Sequence, residues 1–492
     1  MLFHSYIFIL LFLPIAVLGY YGINRTGKYK LGILWLIGMS CWFYGAFSIK
    51  YLLLFLCSVV INQAGVQWME KMPSLPKKRI LFIVMLLLNI GLLVYYKYSN
   101  FFIENINQIC GTALPLLKLG LPVGISFYTF RQLSYIIDCY KEDIKPYSFM
   151  EYAAYALFFP LMVQGPIAYH DHIIGQFREE ERKKVSYVSL SRGIYAFARG
   201  MAKKVLLADT LAPITEMVFP RPYAYSVGDI WIAMLCYTLQ IYFDFSGYCD
   251  MAYGIGQMFR IELPFNFNSP YKAESVSDFW DRWHITLTKF FTKYIYIPLG
   301  GSRKGKLRTY LNILIVFVVS GLWHGANWTF ILWGTLNGFF MILERILKSA
   351  IQKIPIWIRR TVTFVITVFL WSIFNAPTVA HEKVLLRMLG TEKFGVISTE
   401  LTDYFNELTE VRFIGRFGLQ GLIDTYPPVL LILFIAVMLI AVWFFKNTEQ
   451  QVKTLTFDNG KRGMRKMAGA AVLLTWSILS LSEISEFIYF NF

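Results

Sequence analysis

The sequence predicts an all-helical integral membrane protein that crosses the bilayer many times. The chain has 492 residues, of which 56% are hydrophobic and 18% aromatic. Apolar runs of about 16–22 residues recur along the whole length, and each is long enough to cross a hydrocarbon core of about 30 Å as a helix. The longest polar stretches, roughly 171–192 and 378–426, are too short for a separate core. We therefore expect a single integral-membrane domain over residues 1–492.

About 11–13 membrane helices are expected, together with re-entrant or interfacial helices. The predicted apolar helices lie near residues 5–23, 31–48, 51–68, 80–97, 120–139, 152–169, 190–212, 229–247, 310–325, 328–346, 360–376, 427–445 and 468–489. No basic segment of the kind found in cleaved signal peptides precedes the first one, because Arg25, Lys28 and Lys30 follow it. It is therefore expected to be an uncleaved helix with its N-terminus outside.

Clusters of lysine and arginine predict which helix ends face the cytoplasm, because such residues accumulate in cytoplasmic loops. The clusters within 71–79, 303–308, 345–360 and 446–466 are assigned to the inside. The helices near 310–325 and 328–346 then form a hairpin that leaves and re-enters the cytoplasmic side. Loop 377–426 and Phe492 are placed outside. The basic segment 176–204 is expected to be partly immersed or re-entrant.

The net charge of +16 is explained by the same loops, which face anionic membrane lipid. The sequence holds no nucleic-acid-binding motif, so nucleic acid is excluded as a partner. Its six cysteines form no C-x-x-C pair, and most lie in apolar runs. They are interpreted as small buried residues rather than disulfide partners or metal ligands, and no metal is expected.

The stretch GLWHGAN at 321–327 is a short polar interruption between two apolar runs. It places His324 inside the membrane or at its edge, beside glycines that let backbones approach closely. An ionisable residue in such a place is a functional-site hypothesis by default. The structural alternative is a histidine buried at a helix contact and hydrogen-bonded there.

The segment 262–302 has a different character, because apolar residues alternate with charges at helical spacing after Ser277. With Ser277 as its cap, it predicts an amphipathic helix at the cytoplasmic interface that carries His284. A histidine on the polar face, with no function, is the structural alternative.

The candidate chemistry is acid–base, because the sequence has no nucleotide-binding loop, zinc-protease motif or serine-hydrolase elbow. The sequence offers His324 and His284 but no obvious protein nucleophile. This favours direct transfer of an acyl group from donor to acceptor, without a covalent enzyme intermediate. In that reaction a histidine takes the proton of a hydroxyl as the oxygen attacks a thioester. Trp323 Nε1, Asn327 and nearby backbone N–H groups are candidate oxyanion donors. Helix packing and a satisfied buried amide are the alternatives for these two side chains.

A basic loop precedes the apolar run that ends at His324. We define this basic loop by the residues Arg303, Lys304 and Lys306. Backbone N–H groups and cationic side chains together suit the phosphates of a donor substrate. The alternative is an ordinary cytoplasmic loop that only sets the topology.

Two long phrases carry a resemblance to a known family. DFWDRWHITLTKFFTKYIYIPLGGSRKGK at 278–306 and SGLWHGANWTFILWG at 320–334 resemble the membrane-bound O-acyltransferase family. The similarity is strongest to the branch containing the alginate O-acetyltransferase and teichoic-acid D-alanyl transferase membrane subunits. Further matches are LPVGISFYTFRQLSYIIDCYK at 121–141, FFPLMVQGPI at 158–167, MAKKVLLAD at 201–209, YTLQIYFDFSGYCDMAYGIG at 237–256 and the tail FIYFNF.

The resemblance implies a ring of helices around a tunnel that joins a cytoplasmic donor site to an outer acceptor funnel. It implies that His324 is the catalytic base and that His284 is a second functional position nearer the cytoplasm. Trp283, in the same motif as His284, joins the candidate substrate-binding residues Trp323, Asn327, Arg303, Lys304 and Lys306.

The predicted activity is O-acyl transfer, with O-acetyl transfer favoured. The donor is acetyl-CoA or an acyl carrier-protein thioester, and no permanently bound cofactor is expected. The acceptor is an exported cell-surface polysaccharide, reached directly or through an extracytoplasmic SGNH-type acetyltransferase or relay protein. The expected location is a bacterial cytoplasmic (inner) membrane. Two alternatives stay open: transfer of a D-alanyl or other acyl group from a carrier protein to teichoic acid or peptidoglycan, and a transporter, flippase or docking scaffold without chemistry.

Overall fold

The computed structural model describes residues 1–391, 394–455 and 461–481. These residues form helices joined by turns and extended segments, and they contain no strand, which confirms the all-helical prediction. The tail motif at 487–492 and the predicted outer position of Phe492 lie outside the described residues.

The first part of the chain forms long helices that pack in sequence order. After a π-helical turn at Phe8–Phe12 come α1 (Leu13–Asn24), α2 (Tyr29–Gly45), α3 (Ile49–Glu70), α4 (Leu75–Cys110) and α5 (Ile125–Tyr140). The prediction of a helix at 80–97 was too short, because α4 continues for another three turns and more. It ends at Gly111, whose φ of +63° is easily reached without a Cβ.

Helices α4 and α5 pack against each other and run in opposite directions. The start of α4 is linked to the residues after α5 by an ion pair of 2.5 Å between Lys78 Nζ and Glu142 Oε1. The predicted topology places this pair on the cytoplasmic side. The later turns of α4 and the beginning of α5 therefore lie together toward the opposite side.

The middle of the chain contains shorter helices around one long one. These are α6 (Phe149–Ala156), α7 (Phe159–Met162), α8 (His170–Arg178), α9 (Tyr187–Met201), α10 (Asp209–Val218), α11 (Val227–Met258), α12 (Val276–Arg282) and α13 (Ile285–Phe291). The predicted single helix at 152–169 was wrong. Pro160 starts a new short helix, and the tight turn at Gly165 has no room for a side chain, since a Cβ there would lie 2.4 Å from Pro160 O.

Helix α11 is the core of the molecule, since all of its residues except Trp231 and Leu235 are buried. It packs against α9 through glycines on both helices. A Cβ on Gly254 would lie 2.6 Å from Gly193 O, and a Cβ on Gly200 would lie 2.5 Å from Gly247 O. Small residues that let helix backbones touch are typical of membrane helices, and at Gly254 this contact with α9 lies beyond the predicted end of the helix at 247.

The amphipathic helix predicted after Ser277 was wrong in its cap, its continuity and its location. Ser275 is the N-cap of α12, and its hydroxyl accepts a hydrogen bond of 3.0 Å from Asp278 N. The helix breaks at Trp283 and His284 before α13 begins. Both residues are buried in the protein rather than placed at an interface. The bulky apolar side chains of this segment face neighbouring helices, which explains its apolar periodicity.

The last part of the chain begins with the predicted hairpin and continues through shorter elements. These are α14 (Lys306–His324), α15 (Trp328–Ile346), α16 (Lys348–Ile351), α17 (Ile356–Asn375), α18 (Val379–Thr391), α19 (Thr399–Asn406), α20 (Thr409–Ile414), α21 (Gln420–Thr425), α22 (Val429–Phe444), α23 (Thr448–Lys453) and α24 (Lys461–Leu479). Helices α14 and α15 touch through their backbones, because a Cβ on Gly321 would lie 2.2 Å from Phe330 O. This contact confirms the hairpin.

Four helices among the described residues are both long and apolar enough to cross a bilayer on their own: α3, α4, α14 and α17. Two shorter apolar segments, Phe8–Asn24 and α22, supplement them. Other long helices, such as α11, are largely enclosed by protein. Their polar side chains are therefore satisfied by neighbours rather than exposed to lipid.

Candidate active site

His324 is the last residue of α14, and the helix ends there because Gly325 is extended, with φ −164° and ψ 156°. Gly325 has no room for a side chain, since a Cβ would lie 2.0 Å from the ring of Phe330. The imidazole is 4% exposed. Its ring centroid lies 4.8 Å from Trp323, 5.2 Å from Trp333 and 5.2 Å from Phe374. Aromatic side chains therefore define the orientation of the ring.

His284 occupies a strained and buried position between α12 and α13. Its φ of +44° is in the left-handed region, which is unusual for a residue with a side chain. It is 1% exposed, and neither ring nitrogen has a hydrogen-bond partner among the described residues. Buried polar groups are normally paired, and local strain concentrates at functional sites. Both features therefore support a functional role more than the structural alternative.

The two histidines meet around one indole ring. Trp323 lies 6.1 Å from the His284 ring and 4.8 Å from the His324 ring, measured between centroids. The Nε1–H of Trp323 is buried and has no hydrogen-bond partner among the described residues. An unpaired N–H between two imidazoles is suited to stabilise a developing oxyanion. The structure thus brings together three residues that the sequence separates by up to 40 positions.

Two adjoining cavities open at the His324 end of α14. The first, of about 320 Å³, is lined by residues that include His324, Trp323, Ser126 and Gln164. The second, of about 400 Å³, is lined by residues that include Asn327 and Thr329. Lys97 lines both cavities. Under the predicted topology, this end of α14 faces the outer half of the membrane.

Asn327 has two structural bonds besides its place on the second cavity. Its Oδ1 accepts a hydrogen bond of 3.1 Å from Thr329 N and caps α15. Its Nδ2 donates to Pro377 O at 2.9 Å. These bonds match the structural alternative of a satisfied amide, and a role as oxyanion donor stays a prediction.

Trp283 lies away from both cavities, within a cluster of aromatic side chains. Its ring centroid is 4.8 Å from Trp371, 5.0 Å from Phe267 and 5.6 Å from Phe279. The structure therefore places it as a packing residue behind His284, and substrate contact by Trp283 stays a prediction.

The basic loop is exposed and lies at the opposite end of α14 from His324. A helix of 19 residues is about 28 Å long at 1.5 Å per residue. The loop is held by Asn312, whose Nδ2 donates to Gly301 O at 2.9 Å. The structure does not bring the loop to the histidines. Its predicted contact with donor phosphates remains untested and would be made far from the reacting carbonyl.

An aromatic cluster connects the histidines with the end of α5 that carries Asp138. Phe130 stacks on Phe290 at 4.3 Å and on Trp323 at 5.5 Å, and Phe290 contacts Tyr294 at 4.8 Å. The Tyr294 hydroxyl donates to Asp138 Oδ2 at 2.9 Å. The cluster thus forms an apolar wall between the cavities and the predicted cytoplasmic side.

Asp138 also contacts His170, the first residue of the H-x-H motif formed by His170 and His172. His170 Nε2 is 3.1 Å from Asp138 Oδ2, and its Nδ1 is 3.1 Å from the Tyr147 hydroxyl. His172 is bonded instead to Glu262 O. Within 1–391, 394–455 and 461–481, no three side chains form a metal-binding group.

Sequence reasoning missed Lys97, Ser126 and Gln164. Lys97 falls at the end of the predicted helix 80–97. It is the single charged residue within the apolar stretch 80–103, and this was the available signal, because an ionisable residue inside a membrane helix is a functional hypothesis by default. Gln164 lies in the quoted motif FFPLMVQGPI, but its neighbours gave no chemical role.

The fold and the site define an integral-membrane enzyme with a buried two-histidine centre. Comparison with known proteins gives the family. The model of MBOAT, the membrane-bound O-acyltransferase family, matches residues 36–380. A peptidoglycan O-acetyltransferase of Helicobacter pylori is 34% identical over 527 aligned positions, which cover 100% of this chain and 98% of the relative.

Other relatives belong to the same branch. A probable alginate O-acetylase AlgI of Pseudomonas aeruginosa is 36% identical, with coverage of 76% of this chain and 72% of the relative. A teichoic acid D-alanyltransferase of Streptococcus thermophilus is 27% identical over 45% of this chain and 56% of the relative. The chain belongs to the membrane-bound O-acyltransferase family. It is a multi-pass membrane acyltransferase, and the transporter and scaffold alternatives are set aside.

Proposed function

We propose that this protein transfers an acetyl group from a cytoplasmic thioester, such as acetyl-CoA, to hydroxyl groups of an exported cell-surface polysaccharide. The acceptor is reached directly or through an extracytoplasmic acetyltransferase or relay protein. The proposed location is a bacterial cytoplasmic membrane. The observation that carries the proposal is the place of His324, which borders a cavity on one side and shares the Trp323 indole with His284 on the other.

The proposed reaction uses His324 as general base. Its imidazole takes the proton of the acceptor hydroxyl as that oxygen attacks the thioester carbonyl carbon. The Nε1–H of Trp323 donates to the oxyanion of the tetrahedral intermediate. The C–S bond then breaks, the proton passes from His324 to the leaving sulfur, and an ester and a free thiol result.

Two features support a reaction in which donor and acceptor reach His324 from opposite ends of α14. The cavities at the His324 end of α14 are large enough for a sugar ring. The basic loop lies at the other end of the same helix, where phosphates of a cytoplasmic donor are available. The aromatic cluster around Phe130 and Phe290 lies between them, so the acyl arm of the donor has to displace it.

Acetyl transfer is favoured over D-alanyl transfer by the extent of the similarity. The O-acetyltransferase relatives align with 76–100% of this chain, whereas the D-alanyltransferase relative aligns with 45%. Transfer of D-alanyl or another acyl group from a carrier protein is the second candidate.

The test uses purified protein in lipid nanodiscs with two donors in parallel, radiolabelled acetyl-CoA and a D-alanyl carrier-protein thioester. Peptidoglycan fragments and uronic-acid oligosaccharides serve as acceptors, and label released by mild base reports ester formation. We expect transfer from acetyl-CoA that is absent in a His324→Gln variant. Transfer from the carrier protein alone would establish the second candidate. His324-independent transfer would contradict both.

A further inference from the structure

Lys97 is an ionisable residue within an apolar stretch of α4, and the family comparison gives it no role. It lies beside the end of α14 and lines both cavities. A lysine in a membrane helix has to be compensated by a partner or by water. The partners that the structure shows are backbone carbonyl groups.

The end of α14 presents carbonyls that a helix cannot satisfy by itself, since the last four C=O groups have no intrahelical partner. Lys97 Nζ donates to Trp323 O at 2.7 Å and to His324 O at 2.8 Å. The hydroxyl of the next residue, Tyr98, donates to Leu322 O. Lys97 and Tyr98 therefore bind three successive carbonyls, and we call this pair the carbonyl clamp.

The clamp also matches the charge of the helix end. A helix C-terminus carries roughly half a negative charge, and a cation placed there is favourable. The ammonium group of Lys97 lies 6.0 Å from the Trp323 ring as well, at the edge of the cation–π range. Lys97, which lies outside α14, thus contacts two of the three residues of the predicted reaction centre, Trp323 and His324.

The clamp adds side-chain hydrogen bonds to a helix end whose own backbone bonding is weak. Gly325 N donates to Gly321 O at 3.4 Å, which is a long bond. The next fixed point is Asn327, through its bond to Pro377 O. The aromatic rings of Trp323, Trp333 and Phe374 hold the His324 imidazole, and the bond from Lys97 to His324 O fixes the backbone from which that imidazole projects.

We propose that Lys97 is a positioning residue for acyl transfer. With Tyr98 it fixes the carbonyl end of α14 and thereby holds the His324 imidazole at the wall of the first cavity. The kinetic part of this inference rests on the proposed function, whereas the structural part does not.

The test compares Lys97→Met with the wild-type protein in the same nanodiscs. Methionine keeps the length and apolar bulk of the side chain but donates no hydrogen bond, and water from the cavities can reach the two released carbonyls. Lys77→Met, an exposed lysine on the same helix, is the matched control. Tyr98→Phe removes one of the three bonds, and Lys97→Arg restores a cationic donor.

Two measurements decide. Hydrogen exchange by mass spectrometry should show amides in residues 318–330 exchanging about tenfold faster in Lys97→Met, because the last turn opens locally. Turnover should fall by about tenfold to a hundredfold, since misplacement of a reacting group by about 1 Å has effects of that size. The KM for the donor should stay within about twofold, which a general loss of structure would not allow. Lys97→Arg should recover part of the turnover, and Lys77→Met should match wild type.

Unchanged exchange at 318–330 in Lys97→Met would overturn the proposal, and so would faster exchange with wild-type turnover. If Lys97→Met does not yield monodisperse protein, Tyr98→Phe decides by the same two measurements, with smaller expected effects in the same directions. If the wild-type protein transfers no acyl group from either donor, the proposed function has failed. The hydrogen-exchange result would then still show whether the carbonyl clamp holds the end of α14.

Discussion

The general-base role of His324 predicts a large and specific loss of turnover when its imidazole is removed. General-base assistance typically contributes about 10²–10⁴-fold, which corresponds to about 2.7–5.4 kcal/mol of activation free energy at 1.36 kcal/mol per tenfold. The imidazole is enclosed by Trp323, Trp333 and Phe374. His324→Ala therefore leaves a hole in this aromatic wall. His324→Gln fills most of that space and is the preferred variant.

The assay is transfer from radiolabelled thioester to acceptor by purified protein, with donor binding and monodispersity measured on the same samples. Both His324 variants should lack detectable transfer while they still bind the donor and run as single species. His284→Gln should lower the rate and weaken donor binding, because that imidazole lies behind Trp323 toward the aromatic cluster. His172→Gln changes an exposed histidine and serves as the control.

A His324→Gln enzyme that keeps more than about a tenth of wild-type turnover would refute the general-base reasoning, since even the low end of the expected range exceeds tenfold. If the His324→Gln protein is no longer monodisperse while the His172→Gln protein is, His324 would instead be identified as a packing residue.

Three further predictions concern other parts of the molecule. Changing all three residues of the basic loop to glutamine should weaken binding of acetyl-CoA by about tenfold or more, and an unchanged Kd would leave the loop as a topology signal only. In a variant that keeps Cys110, at the end of α4, as its single cysteine, an impermeant maleimide added outside should label that thiol. In a cysteine-free background, the new thiol of Lys77→Cys should not be labelled. The reverse pattern would show that the topology is inverted. Burial raises the pKa of Glu382 to about 7, although the Ser372 hydroxyl lowers it. Because the folded state holds a proton that the unfolded chain releases above about pH 4.5, stability should fall as pH rises from about 4.5 through about 7 and then level off. The Tm of Glu382→Gln should then exceed that of wild type at pH 8 and approach it near pH 5, and a larger difference at pH 5 would be contrary to this account.

The sequence by itself determined the class of the protein and singled out His324 and His284 as candidate site residues. Apolar runs of membrane-spanning length leave few choices of structure, because backbone groups in lipid have to be satisfied within the segment. A histidine between two such runs is conspicuous for the same reason. The hairpin of α14 and α15 was predictable because Gly321 and Gly325 separate two uninterrupted apolar stretches.

Only the tertiary structure decided where those residues lie relative to one another. The segment with His284 has the periodicity of an interfacial helix, and periodicity does not reveal whether the covering surface is lipid or protein. Its burial depends on helices from distant parts of the chain, such as α5 and α11, whose Phe127 and Phe245 rings contact the His284 imidazole. The bonds from Lys97 to the end of α14 join positions 226 and 227 residues apart. Such pairing follows from how helices pack, because any helix end offers the same carbonyl groups and no local pattern selects the side chain that binds them.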